Sequence, residues 1–228
     1  VLANFAKNNL NAETAAVVVN NSSDYSDGVA KAFVEQAEKL GLKVVAKEGY
    51  SDGDKDFRAQ LTKILPTNPD VLVVPDYYEQ VALITTQARE VGIKATFVGP
   101  DGWDGVAKTL DASAYGAVEN SYFTNHYSLQ DQSPKVQNFL KAYKEAYNEE
   151  PSAFSALSYD AAYMMKAAIE KAGTTDKQAV VDALKNLDYD GVTGHLTFDE
   201  NNNPVKAVTV LKIVNGEYTF DSVVEPTK

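Results

Sequence analysis

The 228-residue chain carries 21 Lys and Arg against 32 Asp and Glu, a formal net charge of −11, with 44% hydrophobic and 23% charged residues. That balance suits a globular protein of one large domain or two modest lobes and disfavours disordered, collagenous and membrane-spanning classes. The acidic field repels nucleic-acid phosphates and anionic lipid, only Arg58 and Arg89 supply guanidinium for anion clamps, and the lack of cysteine excludes disulfides and thiolate metal sites.

The first residues, Val1 to Leu10, have helical spacing with Leu2, Phe5 and Ala6 on one face and no capping residue before them, so a processed or truncated product is expected. From Ala15 strands and helices alternate. The apolar runs Ala15–Val19, Leu42–Ala46, Val71–Val74 and Thr96–Val98 predict strands. Between them helices are expected over Asp24–Leu40 with Gly41 as its stop, Asp56–Leu65 ended by Pro66, and Tyr78–Val91. A weak helix at Trp103–Leu110 and an extended run at Ala117–Tyr127 follow. Repeated βαβ units imply right-handed crossovers and a doubly wound parallel sheet.

After His126 the texture changes. Ser133-Pro134, Ser152 or Ser155, and Thr175 or Asp176 open three successive helices with no strand between them. Antiparallel strands then read over His195–Phe198, Lys206–Val214 and Glu217–Val224, the last two joined by the hairpin signal Asn215-Gly216. These helices have almost no sheet of their own to cover. The apolar face of Ala161–Ile169 is therefore expected to lie exposed and to drive self-association.

Ligands of open α/β sheets bind beyond the carboxyl ends of the strands. Tyr25 follows the first strand, Tyr77 and Tyr78 the third, and Asp101 and Trp103 the fourth. An aromatic wall with one carboxylate suits a small molecule that has an apolar body and an ammonium group. Each residue also has a structural reading: Asp101 between Pro100 and Gly102 fits a turn, one of Tyr77 and Tyr78 fits the core, Trp103 fits a wedge between lobes, and Asp24 fits a helix N-cap. Convergence on one edge is what favours binding.

Catalytic signatures are missing. His126 and His195 are the only histidines, both in strand-like sequence, and they read as structural. The Asp52-Gly53-Asp54-Lys55-Asp56 run fails as a calcium loop because Phe57 and Lys63 stand where glycine and the closing glutamate are required, and Asp199–Pro204 fails likewise. No nucleophile elbow, Walker loop or dinucleotide fingerprint occurs, so no catalytic residue, metal or cofactor is expected.

At these same residues the chain resembles the leucine/isoleucine/valine-binding protein family, the type I periplasmic binding proteins of ABC transporters. The resemblance runs through Asp24-Tyr25-Ser26-Asp27-Gly28, Asp76-Tyr77-Tyr78, Gln87–Ile93, Gly99-Pro100-Asp101-Gly102-Trp103-Asp104 and Pro151–Ala162, whose order and spacing together are specific. It implies two α/β lobes that close over a ligand. Residues 1–126 and about 208–228 would be the second lobe, and 127–207 part of the first, whose parallel strands have no counterpart in this sequence. By position, Tyr25 and Tyr77 match aromatic contacts, Asp101 the acidic residue that holds the ligand ammonium, and Phe154 an aromatic contact from the first lobe; Tyr78 and Trp103 are secondary candidates. Family members often have Glu where Asp101 stands, which shortens the reach by one methylene.

The resemblance thus implies an extracytoplasmic solute-binding protein of an ABC importer, taking an amino acid, with branched-chain ones favoured, and working with a permease. A sensor domain of the same fold, for an amino acid or amide, is the alternative, and a small α/β enzyme is the weakest reading.

Overall fold

Val17, Val18 and Val19 form the buried middle of β1 (Thr14–Asn20), which lies between β2 (Lys43–Tyr50) and β3 (Val71–Val73). The computed structural model describes residues 1–225. They fall into two units, Val1–Asn125 with Val210–Ser222, and His126–Thr209 with the chain from Val223 onward.

In the first unit β1 pairs in parallel with β2, from Thr14 opposite Lys43 to Asn20 opposite Tyr50, and with β3 through Ala15 opposite Val71. The parallel set continues through β4 (Thr96–Gly99) and β5 (Tyr122–Asn125), and β9 (Val208–Val214) and β10 (Glu217–Val224) extend that edge in the order β10-β9-β5-β4-β3-β1-β2. Asn215 and Gly216, both at positive φ (52° and 78°), make the tight turn before β10.

Alternation along β1 splits the core. Ala15, Val17 and Val19 pack beneath α1 (Leu2–Asn8) and α2 (Asp24–Lys39), together with Ala3, Ala6, Ala30 and Phe33. Ala16 and Val18 face the opposite layer, where α3 (Arg58–Ile64) and α4 (Tyr78–Glu90) bring Leu61, Ile64, Val81 and Ile84 against Leu72 and Phe97. Both faces are covered, which is the doubly wound arrangement.

Local boundaries differ from the sequence reading, β2 running on to Tyr50 and β9 starting at Val208 among them. Ser23, not Asp24, caps α2, its hydroxyl accepting the Ser26 N–H at 3.3 Å. Asp24 occupies the first helical position, where its charge meets the positive end of the helix dipole. Helix α3 starts at Arg58, two residues after Asp56, whose carboxylate accepts the Arg58 N–H at 3.1 Å. The expected helix at Trp103 divides into a 3-10 turn, Asp101–Trp103, and the short α5 (Val106–Thr109), because Gly105 between them sits at φ 115°. Only Tyr122–Asn125 of the Ala117–Tyr127 run is a strand, since Ala112–Ala117 forms a 3-10 turn and Asn120 adopts φ 55°.

The second unit has the three expected helices, α6 (Pro134–Tyr147), α7 (Ala153–Ala172) and α8 (Lys177–Lys185), capped by Ser133, Ser152 and Asp176. A small antiparallel sheet, β6 (Tyr189–Gly191), β7 (Gly194–Phe198) and β8 (Pro204–Val205), follows, of which only β7 is legible in the sequence. The buried Asp160 carboxylate of α7 ties helix to sheet by accepting the Val192 and Thr193 N–H groups, each at 2.8 Å. Tyr159, Tyr163 and Met165 of α7 are exposed. His195 is no core histidine: it lies on the exposed side of β7, with Nδ1 3.6 Å from Asp188.

Lys206 lies half-buried in this unit and its ammonium donates to the Thr193 carbonyl. Burial lowers its pKa to about 8, only partly opposed by the charge of Asp160. The unfolded chain, with an ordinary lysine value near ~10.4, therefore binds more protons than the folded one between about pH 8 and ~10.4, and stability rises with pH across that window. Lys206→Met is expected to flatten this rise and to raise the melting temperature at pH 7. Thermal melts from pH 7 to 10 measure both effects, and a lower melting temperature for the variant at pH 7 would show that the bond to Thr193 outweighs the burial penalty.

Candidate ligand-binding site

The carboxyl ends of β1, β3 and β4 lie side by side in the first unit. Tyr25 stands in the first turn of α2, directly after β1, and is half-buried. Tyr77 is the residue before α4, after β3, and its ring stacks on that of Tyr25 with centroids 4.9 Å apart and planes 26° from parallel. Asp101 opens the 3-10 turn after β4, and its Oδ1 accepts the Tyr25 hydroxyl at 2.8 Å. Three residues separated by up to 76 positions thus form one cluster.

The electrostatics of the cluster follow from burial and from that carboxylate. Burial first, and then the negative charge and hydrogen bond of Asp101, push the Tyr25 hydroxyl pKa far above its ordinary value. The phenol therefore remains a donor at neutral pH and holds Asp101 by a charge-assisted bond. The same oxygen accepts the Gly102 N–H at 3.1 Å, fixing the turn that carries Asp101. Gly102 must be glycine for this approach, because a Cβ there would lie 2.7 Å from the Asp76 carbonyl and 3.0 Å from the Tyr25 hydroxyl.

Beneath the cluster Trp103 is fully buried, its indole N–H donating to the Val74 carbonyl at 2.7 Å and its ring stacking on Phe123. It packs in the core of its own unit, as the last residue of the turn that carries Asp101, with its side chain fully buried. Tyr78 packs on the core beside Gly105, and Tyr77 is the exposed member of the pair, at 46%. Phe154 lies in the second unit, half-buried in the first turn of α7.

Sequence reasoning missed the layer behind these residues. Asp76, 3% exposed, accepts the Tyr77 N–H at 2.7 Å and the hydroxyl of the buried Tyr50. Asn20 bridges it to Asp52, with Nδ2 at 3.4 Å from Asp76 and 2.7 Å from Asp52. The polar residues at the ends of β1 and β2 were the available signal, but their pairing depends on strand register. No group of three or more His, Cys, Asp or Glu able to hold a metal occurs among the described residues.

The second unit contains a separate open cavity of about 1030 Å³, lined by Tyr127, Phe139, Tyr159, Tyr163 and Tyr189 together with Asp160 and Lys135. Its charged groups are already engaged: Asp160 by two backbone N–H groups and Lys135 by Asp190. The Tyr25, Tyr77 and Asp101 cluster remains the stronger candidate because a hydroxyl, a carboxylate and two stacked rings converge there.

Together these features define an α/β module with an acidic and aromatic cluster at the carboxyl edge of its parallel sheet. The chain belongs to the periplasmic binding protein family, whose model matches residues 1–217. It is 32% identical over 184 residues to the leucine-, isoleucine-, valine-, threonine- and alanine-binding protein of Pseudomonas aeruginosa, covering 80% of this chain and 48% of that protein. Among solved structures it superposes on the leucine-binding protein LivK of Thermotoga maritima with a TM-score of 0.87 at 34% identity, covering 98% of this chain and 64% of that one. The branched-chain amino acid transporter substrate-binding protein LivJ of Streptococcus pneumoniae, solved in complex with isoleucine, gives a TM-score of 0.82 at 35% identity, covering 99% and 64%. The chain spans about half the length of the curated relatives it matches.

Proposed function

We propose that this chain belongs to an extracytoplasmic solute-binding protein of an ABC importer that binds an α-amino acid, a branched-chain one in the first instance, and does no covalent chemistry. The observation that carries the reading is the carboxylate of Asp101 held by Tyr25 beside the stacked Tyr25 and Tyr77 rings. A carboxylate is the natural partner of an ammonium group, and aromatic faces suit both an aliphatic side chain and a nearby cation. Tyr25, Tyr77 and Asp101 would contact the ligand, and Phe154 keeps only the positional match that the resemblance implies.

The two units, joined where the chain passes from Asn125 to His126, Thr209 to Val210 and Ser222 to Val223, are proposed as the lobes of a hinge. A permease partner and a location outside the cytoplasm follow from this reading. Among the described residues no helix is long and apolar enough to cross a membrane. The exposed Tyr159, Tyr163 and Met165 keep self-association within the proposal. Calorimetric titration of leucine, isoleucine and valine into the full-length protein tests the function, and heat no greater than that of dilution for all three would refute it.

A further inference from the structure

Resting on that reading, we propose that Asp76, locked by Tyr50, is a positioning residue that sets the ligand affinity of the site without contacting the ligand. Its carboxylate reaches two neighbouring elements. One oxygen accepts the Tyr77 N–H at 2.7 Å, at the point where the chain leaves β3 and enters α4 without any capping bond from the Tyr77 side chain. The other accepts the Tyr50 hydroxyl from the end of β2 and, at 3.4 Å, the Asn20 amide from the end of β1.

The backbone of Asp76 does the second half of the work. Its carbonyl oxygen lies so close to Gly102 that a Cβ there would approach to 2.7 Å, so the turn bearing Asp101 rests on it. The nearby Val74 carbonyl accepts the Trp103 indole from the same turn. Asp76 therefore supports both parts of the candidate site, the aromatic part through its carboxylate and the acidic part through its carbonyl. Tyr50, 4% exposed and packed edge-on against Phe57, is itself sealed in the core. A buried hydroxyl-to-carboxylate bond at this place fixes the Tyr77 backbone, and with it the angle at which the Tyr77 ring meets Tyr25.

Tyr50→Phe removes one hydroxyl and keeps the ring that packs on Phe57. In the full-length protein it is expected to weaken L-leucine binding about tenfold, the order of a lost bond to a charged group. Asp76→Asn, which keeps an acceptor for the Tyr77 N–H but turns a donor toward Tyr50, is expected to give a loss of the same order. In a Tyr77→Ala background the effect of Tyr50→Phe on affinity should shrink to under about twofold, because the ring it positions is gone. A merely structural role would lower the melting temperature in both backgrounds and leave the affinity effects independent. Unchanged leucine affinity in Tyr50→Phe, or equal losses with and without Tyr77, overturns the proposal while leaving the functional reading intact. Absence of binding by the unaltered protein overturns the functional reading and the proposal together.

Discussion

Asp101→Ala in the full-length protein is expected to abolish amino-acid binding at ordinary ligand concentrations. Truncating one member of a buried, hydrogen-bonded charge pair costs about 2–5 kcal/mol, or roughly 30-fold to several thousandfold in Kd. The Asp101 carboxylate accepts the Tyr25 hydroxyl at 2.8 Å, which sets its negative charge at the edge of the stacked rings. Tyr25 cannot substitute for it: burial alone keeps its hydroxyl protonated at neutral pH, so it contributes a dipole and no negative charge. Asp101→Asn separates charge from shape, since the amide oxygen can still accept from Tyr25. Its loss should approach that of alanine if charge recognition dominates. Calorimetry on both variants measures this, and affinity unchanged in either one would remove Asp101 from the ammonium-binding role.

Trp103→Ala should have the largest effect on stability. The side chain is 0% exposed, and large-to-small replacement of a buried aromatic costs about 3–5 kcal/mol through lost burial and an unfilled cavity. The indole also donates to the Val74 carbonyl at 2.7 Å, a bond that alanine removes, leaving that carbonyl with the Asp76 N–H at 3.0 Å as its partner. At roughly 2–4 °C per kcal/mol for a protein of this size, the melting temperature should fall by about 6–20 °C. Trp103→Phe restores part of the packing and none of the bond, so it should lie between. Thermal melts followed by circular dichroism distinguish the three proteins, and a fall under about 2 °C for the alanine variant would show that Trp103 contributes little to the core. Gly99 gives the converse evidence, because a Cβ there would lie 1.8 Å from the indole nitrogen.

The parts of the fold that could be read from the sequence are those with a local signature. Continuous apolar runs such as Val71–Val74 mark strands covered on both faces, Ser133 and one of Ser152 and Ser155 announce helices, the structure choosing Ser152, and Asn215-Gly216 announces its turn. What escaped is short or non-local. Strands β6 and β8 have three and two residues, too few for a period to emerge, and the backbone beside β6 is fixed by Asp160 from a distant helix.

The site divides the same way. Tyr25, Tyr77 and Asp101 could be gathered from the rule that ligands bind beyond strand ends, and the structure brings them within contact. Neither the stacking of Tyr25 on Tyr77 nor the burial of Trp103 was legible, since both depend on how the loops after β1, β3 and β4 pack. The Tyr50 to Asp76 bond joins residues 26 positions apart at the ends of strands that are not even neighbours, with β1 between them. No sequence spacing encodes such a pair.

The most direct test of ammonium recognition by Asp101 is a paired titration of the full-length protein with L-leucine and with 4-methylpentanoate, which keeps the side chain and carboxylate but lacks the ammonium. Leucine should bind to one site, and the analogue should bind at least about 30-fold more weakly, with that preference collapsing in Asp101→Ala. Equal affinity for the two compounds, or a preference for leucine that survives in Asp101→Ala, would contradict it.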